Sequence, residues 1–227
     1  MYTYLTNKQS KGKKGSLIAS IKGTKAKEIT TIITKIPLEN RLKVKEVTVD
    51  MARNMEAAVK SCFPNAQIVT DRFHVMKLVL DSVQHLRVKL RWKAIDQENE
   101  AIKQAKANKI RFKPKEFENG DTLKQLLARS RYILAKKKRN WTENQTRRAK
   151  VLFDEFPELK KAYEHCMYLR NIYENTSKIR AEIQLNNWMK KTYELKIEQF
   201  YTAANSINYN KDNILNFFDN RSTNASA

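Results

Sequence analysis

Val44-Lys-Glu-Val-Thr-Val-Asp50 and, one short helix later, Ala66-Gln-Ile-Val-Thr-Asp71-Arg-Phe-His74 are the stretches that best predict the fold. Each is a β-branched run of strand length that ends on an aspartate and then turns into a helix. Two strands joined by a helix are expected to be parallel, so both aspartates should lie at the carboxyl edge of one α/β sheet. Sheets of this kind bind ligands at that edge, where a pair of carboxylates suits a divalent cation.

The charge of the chain predicts a polyanionic partner. The 227 residues contain 45 lysines and arginines against 24 acidic residues, which gives a net charge of +21 and a pI near 9.9. A hydrophobic content of 41% with 9% aromatic residues is typical of a folded protein and not of a basic disordered tail. No helix pattern combines a basic face with a Trp/Phe/Leu-rich face, so double-stranded DNA is expected as the partner, and a membrane is not.

Cysteine usage and hydropathy favour the cytoplasm. Cys62 and Cys166 are far apart in the sequence and belong to no disulfide framework or zinc motif. The polar start of the chain predicts no secretion signal, and no apolar run approaches the roughly 18 residues needed to span a bilayer.

The remaining pattern predicts a small α/β part followed by a helical part. Strands are expected at 1–7 and 16–22, forming a hairpin. Thr24 is expected to cap a helix that continues to about Lys35, and Pro37 ends it. Thr142 and Gln145 form a predicted capping box at the start of a helix. Helices are expected at 72–109, 122–137, 142–156, 157–174, 177–205 and 211–218.

Several motifs together resemble a known family. They are Val47-Thr-Val-Asp50-Met-Ala-Arg-Asn-Met55, Cys62-Phe-Pro-Asn-Ala66, Asp71-Arg-Phe-His-Val75 and Arg87-Val-Lys-Leu-Arg-Trp92. Over nearly its whole length the chain resembles the ISL-three family of bacterial insertion-sequence transposases. The resemblance implies a DDE enzyme with a ribonuclease-H-like mixed sheet and a large all-helical insertion. Residues 1–80 would belong to the catalytic core, and residues 81–227 would form the helical region that leads to a final glutamate helix.

The same resemblance assigns roles and implies an incomplete core. Asp50 matches the second catalytic aspartate and would bind metal, Mg²⁺ or Mn²⁺. The first catalytic aspartate lies on a central strand that would precede the hairpin, and the final glutamate would follow a segment similar to Ser222-Thr-Asn-Ala-Ser-Ala227. The chain is therefore expected to be an internal fragment that is inactive alone. The intact enzyme would hydrolyse phosphodiesters at the ends of its element and join them to target DNA, as a homo-oligomer at the bacterial nucleoid.

Asp71 and His74 are weaker catalytic candidates. Asp71 is equally suited to cap the helix that follows it. His74 lies about one turn later and is suited to contact the aspartate, a DNA phosphate or a local backbone group. We expect Trp92 to be buried, although a stacking role against a base is the alternative. His85, His165 and the two cysteines are interpreted as packing or surface residues.

Basic residues in the hairpin loop, at the start of the long helix and before Trp141 are candidates for DNA contacts. They are Lys11, Lys13, Lys14, Arg72, Lys137, Lys138 and Arg139, and for each the alternative is an ordinary solvated charge. Two alternative functions stay open. One is a non-catalytic basic DNA-binding remnant, and the other is a small ribonuclease-H-type nuclease, which the lack of an acidic cluster within the sheet disfavours.

Overall fold

The computed structural model describes residues 1–10 and 12–224 of a mixed α/β chain that is mostly helical. It divides into two compact units. The first unit comprises Met1–Lys77, Ile172–Asn187 and Ala204–Ala227, and the second comprises Leu78–Asn171 and Trp188–Ala203. The strands are β1 (Tyr2–Thr6), β2 (Leu17–Lys22), β3 (Glu46–Val49) and β4 (Gln67–Thr70). The helices are α1 (Ala26–Ile33), α2 (Leu38–Leu42), α3 (Arg53–Cys62), α4 (Arg72–Ala107), α5 (Leu123–Arg129), α6 (Arg131–Ala135), α7 (Glu143–Glu155), α8 (Pro157–Ile172), α9 (Lys178–Glu194), α10 (Tyr201–Tyr209), α11 (Lys211–Leu215) and α12 (Phe217–Asn220).

The first unit contains two separate two-stranded sheets. β1 and β2 form the predicted antiparallel hairpin, in which Thr3 pairs with Ile21. β3 and β4 are parallel, as their connection by α3 predicts, and Val49 pairs with Thr70. No backbone hydrogen bonds join β1 to β3 in the part of the chain that the structure describes.

α1 and α3 cover the core of this unit. The predicted apolar stripe of α1 is confirmed, because Ile29 and Ile33 are buried and Ile32 and Ile36 pack against the same cluster. The carboxylate of Glu28 accepts a hydrogen bond from the backbone N of Lys25, so the helix begins one residue later than predicted. From α3 and the residue after it, the cluster receives four buried side chains: Ala58, Val59, Cys62 and Phe63.

Residues 216–220 pack along the parallel pair in the same unit. The Asn216 side chain donates a hydrogen bond to the Ile68 carbonyl at 2.9 Å, and Gln67 donates to Asp219 at 2.9 Å. Asn220 donates to Glu46 of β3 at 3.1 Å. α11 and α12 therefore protect the outer edge of the parallel pair, which would otherwise expose unpaired backbone groups.

The second unit is built from helices, with one isolated β-bridge between Glu116 and Thr122 among its residues. The predicted capping box of α7 is confirmed: Gln145 N donates to Thr142 Oγ1 at 3.3 Å, and Thr142 N donates to Gln145 Oε1 at 3.2 Å. His165 is buried and stacks on Trp188 with a centroid distance of 4.6 Å. Its Nε2 lies 2.7 Å from Thr192 Oγ1, so a purely structural role accounts for this histidine.

Predictions about three helices and about Trp92 are wrong. The helix predicted at 211–218 is interrupted at Asn216, between α11 and α12. The helices predicted at 122–137 and 177–205 are interrupted, the first at Ser130 between α5 and α6, and the second after Glu194, where Lys196 adopts a φ of 54°. Trp92 is 61% exposed and not buried, because it lies on the face of α4 opposite the buried Val83 and Ala94. No helix among the described residues is long and apolar enough to cross a membrane.

Candidate active site at the carboxyl edge of the parallel strands

Asp50 and Asp71 are the first residues after β3 and β4. The backbone N of Asp71 donates to the carbonyl of Val49 at 2.7 Å, so the parallel pairing continues to the aspartates themselves. Neighbouring strands lie about 4.8 Å apart, which makes the two residues direct neighbours across the pair. The sequence reasoning placed both aspartates on one sheet edge, and they are found there.

Asp50 faces a cavity and is half-buried. Its Oδ1 accepts a hydrogen bond of 3.0 Å from the backbone N of Ala52, which fixes the turn into α3. The cavity has a volume of about 210 Å³ and is bordered by β1, β3, α1 and α3. Three polar residues at this edge line it, namely Asp50, His74 and Asn224.

Asp71 is more deeply buried, with 2% of its surface exposed. Its Oδ1 accepts hydrogen bonds from the backbone N of Phe73 at 3.2 Å and from Thr223 Oγ1 at 2.9 Å. The first bond caps α4, and the second ties the residues after α12 to the sheet edge. Neither Asp50 nor Asp71 forms an ion pair with a basic side chain in the part of the chain that the structure describes.

His74 and Arg72 lie on the first turn of α4. The backbone N of His74 donates to the carbonyl of Asp71 at 3.1 Å, and its ring packs edge-on against Phe73 at 5.4 Å. The guanidinium of Arg72 lies 5.2 Å from the centroid of the Tyr173 ring. Burial raises the pKa of Tyr173, with the charge of Arg72 opposing this effect and that of Asp71 adding to it. Among the described atoms its hydroxyl has no hydrogen-bond partner.

The other candidate DNA contacts are spread over the chain. Lys13 and Lys14 are exposed in the hairpin loop of the first unit, whereas Lys11 lies outside the described residues. In the second unit, Lys138 and Arg139 are exposed in a short 3₁₀ turn that follows α6. Lys137 donates to Asn171 Oδ1 at 3.3 Å.

Sequence reasoning missed two contributors to this edge. Lys8 reaches from the end of β1 to β3, where its ammonium contacts Glu46 at 3.4 Å and also donates to Thr48. Thr223 belongs to the segment that resembles the family's final motif, and its hydroxyl donates directly to Asp71. Neither contact has a local sequence signal, because each joins residues 38 or more positions apart. The last three residues of that motif, 225–227, lie outside the described residues.

The donor chemistry of the edge suits a hard divalent cation. The structure brings together two carboxylates, whose oxygens are the ligands that Mg²⁺ and Mn²⁺ prefer. No group of three or more His, Cys, Asp or Glu side chains with metal-binding geometry is found within residues 1–10 and 12–224.

A parallel pair ending in two aspartates, within a mixed α/β unit of a strongly basic chain, defines a candidate nucleic-acid-processing protein. Comparison with family models gives the family: a model described as "Transposase", that of the ISL-three DDE group, matches residues 1–227. The chain thus belongs to the ISL-three transposase family, which associates it with DNA transposition and with DNA as a partner. No curated protein and no solved structure matched the chain.

Proposed function

We propose that this chain supplies part of the catalytic core of a DDE transposase, which hydrolyses phosphodiesters and transfers strands at insertion-sequence ends. The observation that carries the proposal is the in-register placement of Asp50 and Asp71 at the ends of adjacent parallel strands. In this proposal residues 1–80 contribute the catalytic sheet, and residues 81–227 contribute the helical region. Several copies of the intact enzyme would assemble on DNA.

Asp50 is the proposed metal ligand, and Asp71 is its neighbour. Asp50 Oδ1 is held by Ala52 N, so the carboxylate is oriented on the cavity wall before any cation arrives. Asp71 fixes the start of α4 through its hydrogen bond from Phe73 N, and it holds the segment after α12 at the sheet edge through its hydrogen bond from Thr223. A divalent cation bound there would stabilise the charge that develops on the reacting phosphate. Because two-metal chemistry needs further carboxylates, residues 1–227 alone are expected to be inactive.

The gap between the two sheets supports a ribonuclease-H-like arrangement. The carbonyls of Lys45 and Val49 accept hydrogen bonds from the backbone N of Gln67 and of Asp71. The alternate residues Glu46 and Thr48 therefore direct their peptide groups away from β4. The β1 residues on the far side of the cavity are Thr3, Tyr4 and Leu5. One further strand of the same polypeptide, parallel to β3 and antiparallel to β1, would join the sheets in the order β2-β1-new strand-β3-β4.

Cation binding tests the proposed site directly. Titration of Mn²⁺ into residues 1–227, followed by the electron paramagnetic resonance signal of free Mn²⁺, should reveal one weak site. Asp50→Ala should weaken that site about tenfold or more, since losing a ligand costs at least as much as losing a partner of a ligand. Asp154→Ala, at an exposed position of α7, is the control and should bind as the wild type does.

The alternative function, a non-catalytic DNA-binding remnant, predicts a different result. It requires duplex binding without any Mn²⁺ site that depends on Asp50. Duplex binding itself is expected under both readings because of the net charge of +21. If about six phosphates are neutralised, the affinity should fall by roughly 10³-fold between 50 and 200 mM salt. An affinity that does not change with salt would remove DNA as the partner and both proposals with it.

A further inference from the structure

Three arginines of the second unit form a cluster of like charge. Arg87 is buried in α4, where its Nη1 donates to the carbonyl of Leu127 at 2.9 Å and its Nε donates to Gln84 at 2.8 Å. Gln84 in turn donates to the carbonyl of Arg131 at 3.2 Å, which fixes the start of α6 against α4. Arg91 follows Arg87 by one turn and is exposed, as Arg131 is.

Internal acidic residues do not compensate this cluster. No salt bridge to Arg87, Arg91 or Arg131 occurs within the described ranges. Burial lowers the pKa of Arg87, and the positive charges of Arg91 and Arg131 lower it further. Since like charges held close together repel each other, an anion bound between the exposed pair would relieve the repulsion.

Two exposed aromatic residues directly follow members of this cluster in the sequence, Trp92 after Arg91 and Tyr132 after Arg131. Tyr132 is 68% exposed, and its ring centroid lies 5.8 Å from the guanidinium carbon of Arg131. Trp92 is 61% exposed and lies one turn from Val88 on the side of α4 that carries Gln84. The ring of Tyr132 is not needed for the packing of α6, because Ile133 and Leu134 are the buried side chains of that helix.

Cations beside exposed flat rings suit one kind of ligand. Unpaired bases have free faces that stack on aromatic side chains, whereas bases in a duplex are already stacked on one another. The phosphates of the same strand would neutralise the arginines. We infer that Arg91, Trp92, Arg131 and Tyr132 form a binding site for a single-stranded segment of DNA, with the arginines on its phosphates and the rings on its bases. The inference rests on the proposed role of DNA as the partner, and it concerns a site other than the aspartate edge.

Intrinsic fluorescence makes the site measurable. Of the three tryptophans, Trp141 is half-buried and donates to the carbonyl of Ile133, and Trp188 is buried. Binding of an oligothymidylate of about 12 nucleotides should therefore quench mainly Trp92. Trp92→Phe should retain most of the affinity and lose most of the quenching.

Affinity measurements by anisotropy separate stacking from charge. An abasic strand of the same length keeps the phosphates and should bind about tenfold more weakly than oligothymidylate. Trp92→Ala, Tyr132→Ala and Arg131→Ala should each weaken oligothymidylate binding by about fivefold or more. Lys161→Ala removes an exposed charge from α8 and should have almost no effect. Duplex affinity of Trp92→Ala should stay within about twofold of wild type.

Each other outcome has a defined meaning. The inference is wrong if abasic and thymidine strands bind equally, or if Trp92→Ala and Tyr132→Ala both bind as wild type. It is also wrong if Trp92→Ala weakens duplex and single-strand binding alike, because the patch would then be an unspecific cationic surface. A third outcome is that single-strand binding is intact but duplex binding or the Mn²⁺ site is absent. That result would overturn the proposed function and would still support the single-strand site. If an alanine variant unfolds at a lower temperature than wild type, the inference is tested on the wild-type chain by fluorescence quenching and by the comparison with the abasic strand.

Discussion

Asp121 in the second unit differs from Asp50 and Asp71, the aspartates at the strand ends of the first unit. Their exposure to solvent differs, but the larger difference is in the groups that donate hydrogen bonds to their carboxylates. Asp121 is 0% exposed, and its carboxylate receives hydrogen bonds from Arg129, from Arg148 at 2.6 Å and from Asn119 at 2.9 Å. At the strand ends, the carboxylates of Asp50 and Asp71 accept hydrogen bonds from backbone N–H groups and from one hydroxyl. The negative charge of Asp121 is neutralised within the protein, whereas the charge at the strand ends is not.

This difference distinguishes a structural carboxylate from a candidate ligand. The two arginines balance Asp121 and leave no electrostatic reason for a cation to bind there. Backbone N–H donors orient a carboxylate without cancelling its full charge, and this is why Asp50 is the metal ligand in the proposed function. We therefore expect mutations at the two places to have opposite consequences for activity and for stability.

The largest expected effect is the loss of transposition in Asp50→Ala. In the full-length transposase, excision of the element from a plasmid should fall by about 10³-fold or more, because a metal ligand contributes several kcal/mol to the stabilisation of the transition state. The midpoint of thermal unfolding and the affinity for duplex DNA should remain near the wild-type values. Excision at the wild-type level would remove Asp50 from the chemistry.

The next effect is a loss of stability in Asp121→Ala. This variant leaves Arg129 and Arg148 without their carboxylate, and we expect a destabilisation of about 2–3 kcal/mol, less than for a fully buried pair because both arginines are partly exposed. Urea unfolding of residues 1–227 measures it, with Asp154→Ala as the exposed control. A change below about 0.5 kcal/mol would show that the Asp121 network does not stabilise the second unit.

A smaller effect of the same network appears at acidic pH. Burial alone would raise the pKa of Asp121, but the hydrogen bonds and charges of Arg148 and Arg129 hold it below its usual value. A lowered pKa gives stability that is present above the unfolded-state value of about 4 and is lost as the pH falls through the folded-state value. Between pH 5 and 2.5 the wild type should therefore lose more of its free energy of unfolding than Asp121→Asn does. If the free energy of unfolding falls with pH equally in the two proteins, the arginines do not stabilise the charged form of Asp121.

Local sequence patterns predicted the strand ends well. β-branched runs, their length and the aspartates after them are adjacent in the sequence, so the parallel pair and the common edge followed from short-range rules. The short α2 was missed because Pro37 was interpreted as the end of a helix, although proline is equally suited to precede one. Once formed, α2 is tied to the core by Arg41, which donates to the Cys62 carbonyl at 2.8 Å.

The features that sequence patterns did not predict depend on contacts between distant residues. Helical periodicity continues through Ser130 and Lys196, so the pattern alone gave no sign of the breaks there. Tryptophan is a large apolar residue type that is highly buried on average, so the sequence predicts a buried Trp92. Its exposure depends on which face of α4 the other helices cover. For the same reason the cluster of Arg87, Arg91 and Arg131 emerges only from the structure, since Arg131 is 40 or more positions from its neighbours.

The smallest expected effect separates the two aspartates of the strand ends from each other. Asp71→Asn keeps an oxygen that can accept from Phe73 N and Thr223 Oγ1, so the cap of α4 should weaken by about 1 kcal/mol or less. Activity should fall only moderately, as expected for a residue that holds the edge in place and does not bind the metal directly. Thr223→Val is the matched partner variant, because it removes the donated hydrogen bond while Asp71 keeps its charge. If Asp71→Asn is inactive with an unchanged melting temperature while Thr223→Val stays active, the charge of Asp71 itself takes part in the reaction, and both strand-end aspartates are ligands.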